Sequence, residues 1–152
     1  MTTSKSTKFP KHYASRFSAY RLLNQAIPDI AATTILFDLI NFDVMQEYNS
    51  TTLNNFQPKR AGYYYLHASA GLTDLNIGDL FDLYILQNPA TYLAITEIQA
   101  NSLNEDMFLS CDCIAYLTPL DTVQIQVYHN FGANRWLQGN GCVTSFQGFR
   151  IG

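Results

Sequence analysis

The chain has 152 residues and a formal net charge of −3, with 47% hydrophobic and only 14% charged residues. These values predict one folded domain with a sizeable core and exclude the disordered class of proteins. The acidic balance gives no support for binding nucleic acid or an anionic membrane surface, and no apolar run approaches the roughly 18 residues of a membrane span.

Residues 1–13 are predicted to be a flexible arm, so that the folded domain spans residues 14–152. The first fifteen residues are polar and basic without an apolar centre, and we do not expect a secretory signal peptide there. Residues 16–26 favour either a short helix or an edge strand, which Pro28 limits. Residues 33–42 are β-branched and aromatic and predict a strand, and residues 43–61 predict a polar connection with a short strand near 52–56.

Strand-like segments then recur at short spacing to the C-terminus. The clearest is residues 121–130, where apolar and polar residues alternate with the period of two that a half-buried strand requires; the apolar positions are Val123, Ile125 and Val127. The other predicted strands are residues 62–70, 80–87, 91–99, 107–117 and the C-terminal segment, separated by predicted loops at 71–79, 101–106 and 131–141. Seven or eight strands without a convincing long helix predict an all-β sandwich or barrel.

Aromatic residues are unusually frequent, with ten tyrosines and ten phenylalanines. A single domain has limited interior for so many rings. We therefore expect some of them to lie in a subunit interface, where aromatic residues are enriched and lysine and glutamate are depleted. The alternative is a tyrosine-rich strand surface, which β-propensity alone favours.

The three cysteines do not predict a disulfide framework, because their number is odd. Cys111 and Cys113 lie two residues apart on a predicted strand, so they point to the same side and cannot comfortably bridge each other. A zinc site that adds Cys142 is disfavoured because no histidines stand at ligand spacing; the histidines are His12, His67 and His129. We expect free, half-buried thiols, which behave as small hydrophobic groups.

Four short motifs follow one another along residues 14–152. They are Phe37-Asp38 with Asn41 and Tyr48; Asn55-Phe56-x-Pro58-x-x-Ala61-Gly62-Tyr63-Tyr64; Leu117-x-x-Leu120-Asp121-x-Val123; and Ser145-Phe146-Gln147-Gly148-Phe149. In this order they resemble the characteristic segments of the C1q-like domain of the C1q/tumour necrosis factor superfamily. The sequence departs from that pattern at Leu120, where a glycine is usual, and it shows no Gly-x-y repeat ahead of the domain.

The resemblance implies a ten-stranded jelly-roll sandwich that assembles as a homotrimer. Such domains commonly act as non-enzymatic recognition heads, often at the tip of a fibrous stalk, and bind proteins, carbohydrates or charged patterns. The strands that the family places at its trimer interface give five candidate residues here: Tyr63, Tyr65, Tyr116, Phe146 and Phe149. For each of them the alternative is an ordinary core residue within one subunit.

Catalytic chemistry has little support in the sequence. Ser110, Ser145, His67 and His129 could supply a nucleophile and a base, but no Gly-x-Ser-x-Gly elbow is present, and the clustered histidines of a cupin-type metal enzyme are missing. We therefore predict that the protein is not an enzyme.

Calcium is a possible ligand, because some C1q-like trimers hold it with loop carboxylates. The aspartates that could contribute are Asp74, Asp79, Asp82, Asp112 and Asp121, but they form no loop of fixed spacing, and we predict no metal or other cofactor. A turn hydrogen bond is the simpler role for Asp121.

The predicted loop 131–141 is the favoured ligand-binding segment. Trp136 offers a flat apolar surface that can stack on a sugar ring, and Asn134 and Arg135 offer directed donors. The alternative is that Trp136 covers one end of the core or packs against a neighbouring subunit.

Two functional classes follow from these features. The first is a trimeric recognition head that binds protein or carbohydrate on a fibre or a secreted assembly, outside the cell or on a cell, spore or virion surface. The second is a structural trimerisation unit, or a virion or spore-surface unit, without a specific ligand. Fold alone does not decide between them.

Overall fold

A computed structural model describes residues 14–152 of the chain, so the predicted arm at 1–13 lies outside the described residues. These residues form an all-β sandwich of two antiparallel sheets, as predicted. They contain no helix that is long and apolar enough to cross a bilayer. The strands are β1 (Arg16–Tyr20), β2 (Gln25–Ile27), β3 (Thr33–Thr34), β4 (Leu39–Asp43), β5 (Tyr48–Asn49), β6 (Asn55–Phe56), β7 (Gly62–Leu75), β8 (Leu80–Gln87), β9 (Thr91–Gln99), β10 (Glu105–Leu117), β11 (Val123–His129), β12 (Arg135–Leu137) and β13 (Ser145–Ile151).

The first sheet has seven strands in the order β2-β12-β7-β13-β1-β4, with β10 paired along the other edge of β7. The second sheet has six strands in the order β5-β6-β11-β8-β9, with β3 paired to β11. The two sheets meet along one side, where the Thr96 hydroxyl of β9 donates a hydrogen bond to the Ser110 carbonyl of β10 at 3.0 Å. The long strand β7 therefore organises the first sheet, and β11 occupies the middle of the second.

Aromatic rings fill the space between the sheets. Phe17 of β1 stacks on Phe56 of β6 with ring centroids 4.4 Å apart, and Phe146 of β13 meets Phe17 edge-on at 4.9 Å. Gly148 permits this packing, because a Cβ there would lie 2.8 Å from both the Leu66 side chain and the Tyr65 carbonyl oxygen. Burial of these large apolar surfaces is the main stabilising contribution to the sandwich.

The strand predictions hold where the period-two pattern is strong. β11 buries Val123, Ile125 and Val127 inside predicted segment 121–130, and β10 follows the predicted 107–117. Residues 16–26 form strands β1 and β2 rather than a helix. The long segments confirm the expectation that alternation identifies half-buried strands.

Three local predictions are wrong. The single strand predicted at 33–42 is two strands, because the chain crosses here from β3 in the second sheet to β4 in the first. The loop predicted from residue 71 begins later, since β7 continues to Leu75, with Leu72 and Leu75 in the core. The loop predicted at 131–141 contains β12, which pairs with β2 and β7. The thirteen strands also exceed the ten implied by the resemblance, because several of them have only two or three residues.

Candidate functional site

The outer face of the first sheet carries a cluster of exposed rings and aliphatic side chains. Residues that are directly paired across antiparallel strands point to the same face. Ile114 and Tyr116 of β10 pair with Tyr65 and Tyr63 of β7, which in turn pair with β13. We call the resulting set the aromatic patch; its members are Tyr63, Tyr65, Ile114, Tyr116, Phe149 and Ile151.

The rings of the aromatic patch pack on one another but remain open to solvent. Tyr63 and Tyr116 meet edge-to-face with centroids 5.3 Å apart, and Tyr65 and Phe149 lie at 5.4 Å. Tyr63 is 58% exposed, Tyr116 56% and Phe149 49%. A contiguous apolar surface of this kind on a folded chain marks an interaction site more often than a scattered apolar residue does.

A groove of about 410 Å³ adjoins the aromatic patch. Its floor and walls include Phe17, Phe42, Tyr65, Gly148 and Phe149. Its lining residues come mainly from β1, β4, β7 and β13. Arg16 and Arg150 also line the groove. The patch and the groove share Tyr65 and Phe149 and form one mainly apolar surface that is suited to receive side chains of another protein.

A polar row crosses the middle of the same face. Asp112 of β10, His67 of β7 and Gln147 of β13 stand side by side in register. The His67 Nδ1 atom lies 3.8 Å from the Asp112 Oδ1 atom. In the next row the hydroxyls of Ser69 and Ser145 are hydrogen-bonded at 3.0 Å. The face is therefore apolar at one end and polar across its centre.

Four of the five predicted interface residues are brought together by this face, and Phe146 is not. Phe146 is only 1% exposed and lies in the core against Phe17. Phe146 and Phe149 stand three residues apart on one strand, so alternation sends them to opposite faces. Phe146 is thus corrected to a core residue of a single subunit. Ile114 and Ile151 were missed, although alternation along β10 and β13 places them beside the tyrosines.

The predicted ligand residues do not form one site. Arg135 and Trp136 are adjacent on β12 and so point to opposite faces. The Arg135 guanidinium lies 5.6 Å from the centre of the Phe131 ring, whereas Trp136 faces outward and is 54% exposed. Asn134 is exposed at the start of this short strand. Trp136 consequently does not cover the core within one subunit, and Arg135 holds the segment in place instead of facing the same surface.

Two of the candidate nucleophiles lie in the row next to His67, since Ser110 and Ser145 both pair with Ser69 of β7. The Ser145 hydroxyl bonds to Ser69, and His67 lies nearest to Asp112. His129 is fully buried between the sheets, where its Nε2 atom lies 2.9 Å from the carbonyl oxygen of Ile27. Burial lowers the pKa of His129 and favours the neutral imidazole.

Among residues 14–152 no group of three His, Cys, Asp or Glu side chains could hold a metal ion. Asp121, one of the calcium candidates, instead closes a turn: its carboxylate accepts hydrogen bonds from the Thr118 amide and from the side chains of Gln87 and Asn88, each at 2.8 Å. The bond from the Thr118 backbone, followed by the side-chain bonds, lowers the pKa of Asp121.

All three cysteines are free, as predicted. Cys111 and Cys113 face the core side of β10, and Cys142 is exposed. Burial raises the pKa of the Cys111 thiol to about 12 and that of Cys113 to about 11. The two strand thiols are therefore protonated at neutral pH and behave as core residues.

A second concavity, a cleft of about 660 Å³, lies between the segment 46–59 and Pro119. Its lining is rich in uncharged hydrogen-bonding side chains, among them Asn49, Ser50 and Thr51. The Glu47 carboxylate is already used within the fold, since it accepts hydrogen bonds from the Ser15 hydroxyl and the Lys59 amide. Lys59 also lines the cleft, and its Nζ donates a hydrogen bond to the Met45 carbonyl oxygen, so the cleft is polar and carries this positive charge.

The chain matches known proteins by structure and not by sequence. No family model matches the chain, and no curated protein sequence matches it. Solved structures do match. Murine APRIL at pH 8.0 aligns with a TM-score of 0.71 and 11% identity over 91% of this chain and 99% of that one. The globular domain of zebrafish complement 1qA protein aligns with a TM-score of 0.66 and 21% identity, over 91% and 98% of the two chains.

Eiger TNF from S. frugiperda aligns with a TM-score of 0.65 and 9% identity over 91% of this chain and 92% of that one. These alignments span nearly the whole described domain. At such low identity they establish a shared fold, and the two-sheet architecture described above is the jelly roll of these structures.

Proposed function

We propose that this domain, which has the C1q/TNF-like jelly-roll fold, is a non-enzymatic recognition head that works as a homotrimer. In this proposal it binds protein or carbohydrate ligands, at the tip of a fibre or on a secreted assembly. Its setting is extracellular, or the surface of a cell, spore or virion. Fold similarity motivates this setting, and the exposed surface of this chain supports the assembly.

The exposed aromatic patch is the observation that carries the proposal. Tyr63, Tyr116 and Phe149 each leave about half of the side chain in water, next to an apolar groove. Interfaces are enriched in such rings and depleted in lysine and glutamate, and neither of the latter is present in the patch. Covering the patch with other copies of the chain removes this apolar surface from water and stabilises the assembly.

A closed ring of three copies needs a second, different surface on each chain, because its contacts are heterologous. The second sheet provides one on β9 and β8, which we call the β9 patch: Tyr84, Tyr92 and Ile95. Tyr92 and Ile95 are 56% and 55% exposed, and the Tyr84 and Tyr92 rings lie 5.3 Å apart. The β9 patch lies near the edge where the sheets meet, beside β10 of the first sheet. Packing of one copy's β9 patch against the next copy's aromatic patch would close the ring.

Ligand recognition would use surfaces that this assembly leaves free. Trp136 supplies an exposed ring and Asn134 an exposed amide on the segment between β11 and β13. The polar cleft lined by Asn49, Ser50 and Thr51 offers a second place for a neutral, hydrogen-bonding ligand. The Ser145 hydroxyl hydrogen-bonds with Ser69 and the His67 imidazole faces Asp112, which supports binding without catalysis.

Light scattering at micromolar concentration tests the assembly. We expect a mass three times the 17.2 kDa of the chain, and a monomer for the double variant Tyr63→Ser, Tyr116→Ser. Leu120→Ser is the matched control, because Leu120 is 89% exposed on a turn outside both patches. That variant should remain a trimer. A wild-type protein that stays monomeric at these concentrations would contradict the proposal.

A further inference from the structure

The polar row lies within the surface that the proposed assembly covers. His67 is flanked by the aromatic patch on one side and, beyond the serine row, by the exposed Phe108 on the other. In the single chain the His67 side chain is 25% exposed and that of Asp112 is 60% exposed. Both side chains would lose water when another copy packs against this face.

The net charge of this face changes when the His67 imidazole gains or loses a proton. Among residues 14–152, the titratable and charged side chains that solvent reaches on β10, β7 and β1 include Asp112, Asp106, Asp74, Tyr116, Tyr63, Tyr65, Arg16 and Tyr20, and the exposed Cys142 lies beside Ser69 and Ser110. β13 contributes the uncharged Gln147 beside the histidine. Arg16 pairs with Phe149, two strands away from His67 and in a neighbouring row. Asp112 is therefore the charged group nearest to the imidazole.

We infer that the His67–Asp112 pair makes the self-association of this domain proton-dependent, with tighter association in mild acid than in mild base. The inference rests on the homotrimer proposed above, in which the outer face of the first sheet is covered. The inference concerns how pH changes the strength of the contact between copies, whereas the contact itself is part of the homotrimer proposal.

The direction of this pH dependence follows from the free-energy cost of removing water from a charged group. With a neutral imidazole, assembly removes water from a lone Asp112 carboxylate, which is unfavourable. With a protonated imidazole, the same step buries an ion pair whose separation is already 3.8 Å, and the desolvation cost is partly offset. The assembled state then binds protons more tightly than the free chain, so association weakens as rising pH removes the proton from His67.

The experiment is a dilution series at pH 5.5 and pH 8.0, with the assembled fraction followed by mass photometry and the fold checked by circular dichroism. We expect the concentration at half-assembly to be about tenfold higher at pH 8.0, since each of three copies contributes. If the trimer does not dissociate at any dilution, the two pH values are compared instead by the rate at which subunits exchange between two fluorescently labelled populations of trimer. Exchange should then be about tenfold faster at pH 8.0.

Two variants and a control test the pair itself. His67→Gln should assemble as weakly at pH 5.5 as the wild type does at pH 8.0. Asp112→Asn should lose the wild-type preference for acid and assemble less tightly at pH 5.5 than at pH 8.0, because a protonated His67 is then the lone charge that loses water. Asp74→Asn, at an exposed carboxylate near the end of β7 where φ is +61° and asparagine fits, should keep the wild-type difference.

A trimer equally tight at both pH values would overturn this inference and leave the homotrimer standing. The inference would also fail, with the homotrimer intact, if His67→Gln and Asp112→Asn kept the full difference. A monomer at both pH values would overturn the homotrimer and the inference together.

Discussion

The Phe131 ring lies flat against the His129 imidazole, with centroids 4.3 Å apart and only 9° between the ring planes. The Phe131 amide donates a hydrogen bond to His129 Nδ1 at 3.4 Å, and Nε2 lies 2.9 Å from the carbonyl oxygen of Ile27. These partners assign the proton of the neutral ring to Nε2. The histidine thereby joins β11 to the end of β2 from inside the sandwich.

This buried imidazole predicts that the fold is less stable in acid. Burial lowers the pKa of His129 in the folded chain, so the unfolded chain binds the proton first. Stability contributed by the neutral ring is complete above the usual imidazole value near 6.5 and is lost as the pH falls below it.

Urea denaturation of the monomeric Tyr63→Ser, Tyr116→Ser variant at several pH values from 8 to 5 measures this effect without a contribution from assembly. The free energy of unfolding should decrease toward pH 5. The decrease should persist when His67→Gln is added, because His67 lies on the outer face. Constant or increasing stability toward pH 5 would contradict this role of His129.

Replacing either phenylalanine of β13 by alanine should affect a different property, stability for Phe146 and self-association for Phe149. Phe146→Ala removes a core ring and should lower the free energy of unfolding by about 3–5 kcal/mol. Phe149→Ala, from the outer face, should change the stability of a single subunit much less but weaken self-association. Urea denaturation and light scattering on both variants separate the effects. Equal losses of stability would show that the two rings are not on opposite faces.

The cysteines should differ in reactivity. Because Cys111 and Cys113 are covered and their pKa values are raised to about 12 and about 11, neither should react quickly with a disulfide reagent at pH 8. Cys142 is exposed and should react in the folded protein. Titration with Ellman's reagent should therefore detect one thiol per folded chain and three after denaturation, and Cys142→Ser should abolish the rapid phase.

Substitutions at two adjacent residues of β12 should have different effects, one on stability and the other on ligand binding. Arg135→Ala removes the guanidinium from above Phe131 and should cost about 0.5–1 kcal/mol of stability. Trp136→Ala alters an exposed position and should change stability by less than about 0.5 kcal/mol. If Trp136 contacts the ligand, its variant should remain a folded trimer and lose binding. Full binding by a folded Trp136→Ala protein would remove Trp136 from the ligand site.

The sequence by itself determined the elements whose signal is local. Alternation along β10 and β11 identified which side chains enter the core, and the two-residue spacing of Cys111 and Cys113 placed both thiols on one side of a strand. Four motifs also indicated the jelly roll. These features could be predicted because the strand repeat of two is a property of the backbone within a few residues.

Only the tertiary structure decided which residues become neighbours across strands. Tyr63 meets Tyr116, and Tyr65 meets Phe149, because β7 pairs in one register with β10 and β13, strands that are distant in the chain. The split of segment 33–42 between two sheets is likewise set by partners that the segment does not contain. A shift of one residue in register would exchange the inner and outer faces of a strand. Non-local pairing, which no single segment encodes, therefore fixed both the aromatic patch and the position of His67 beside Asp112.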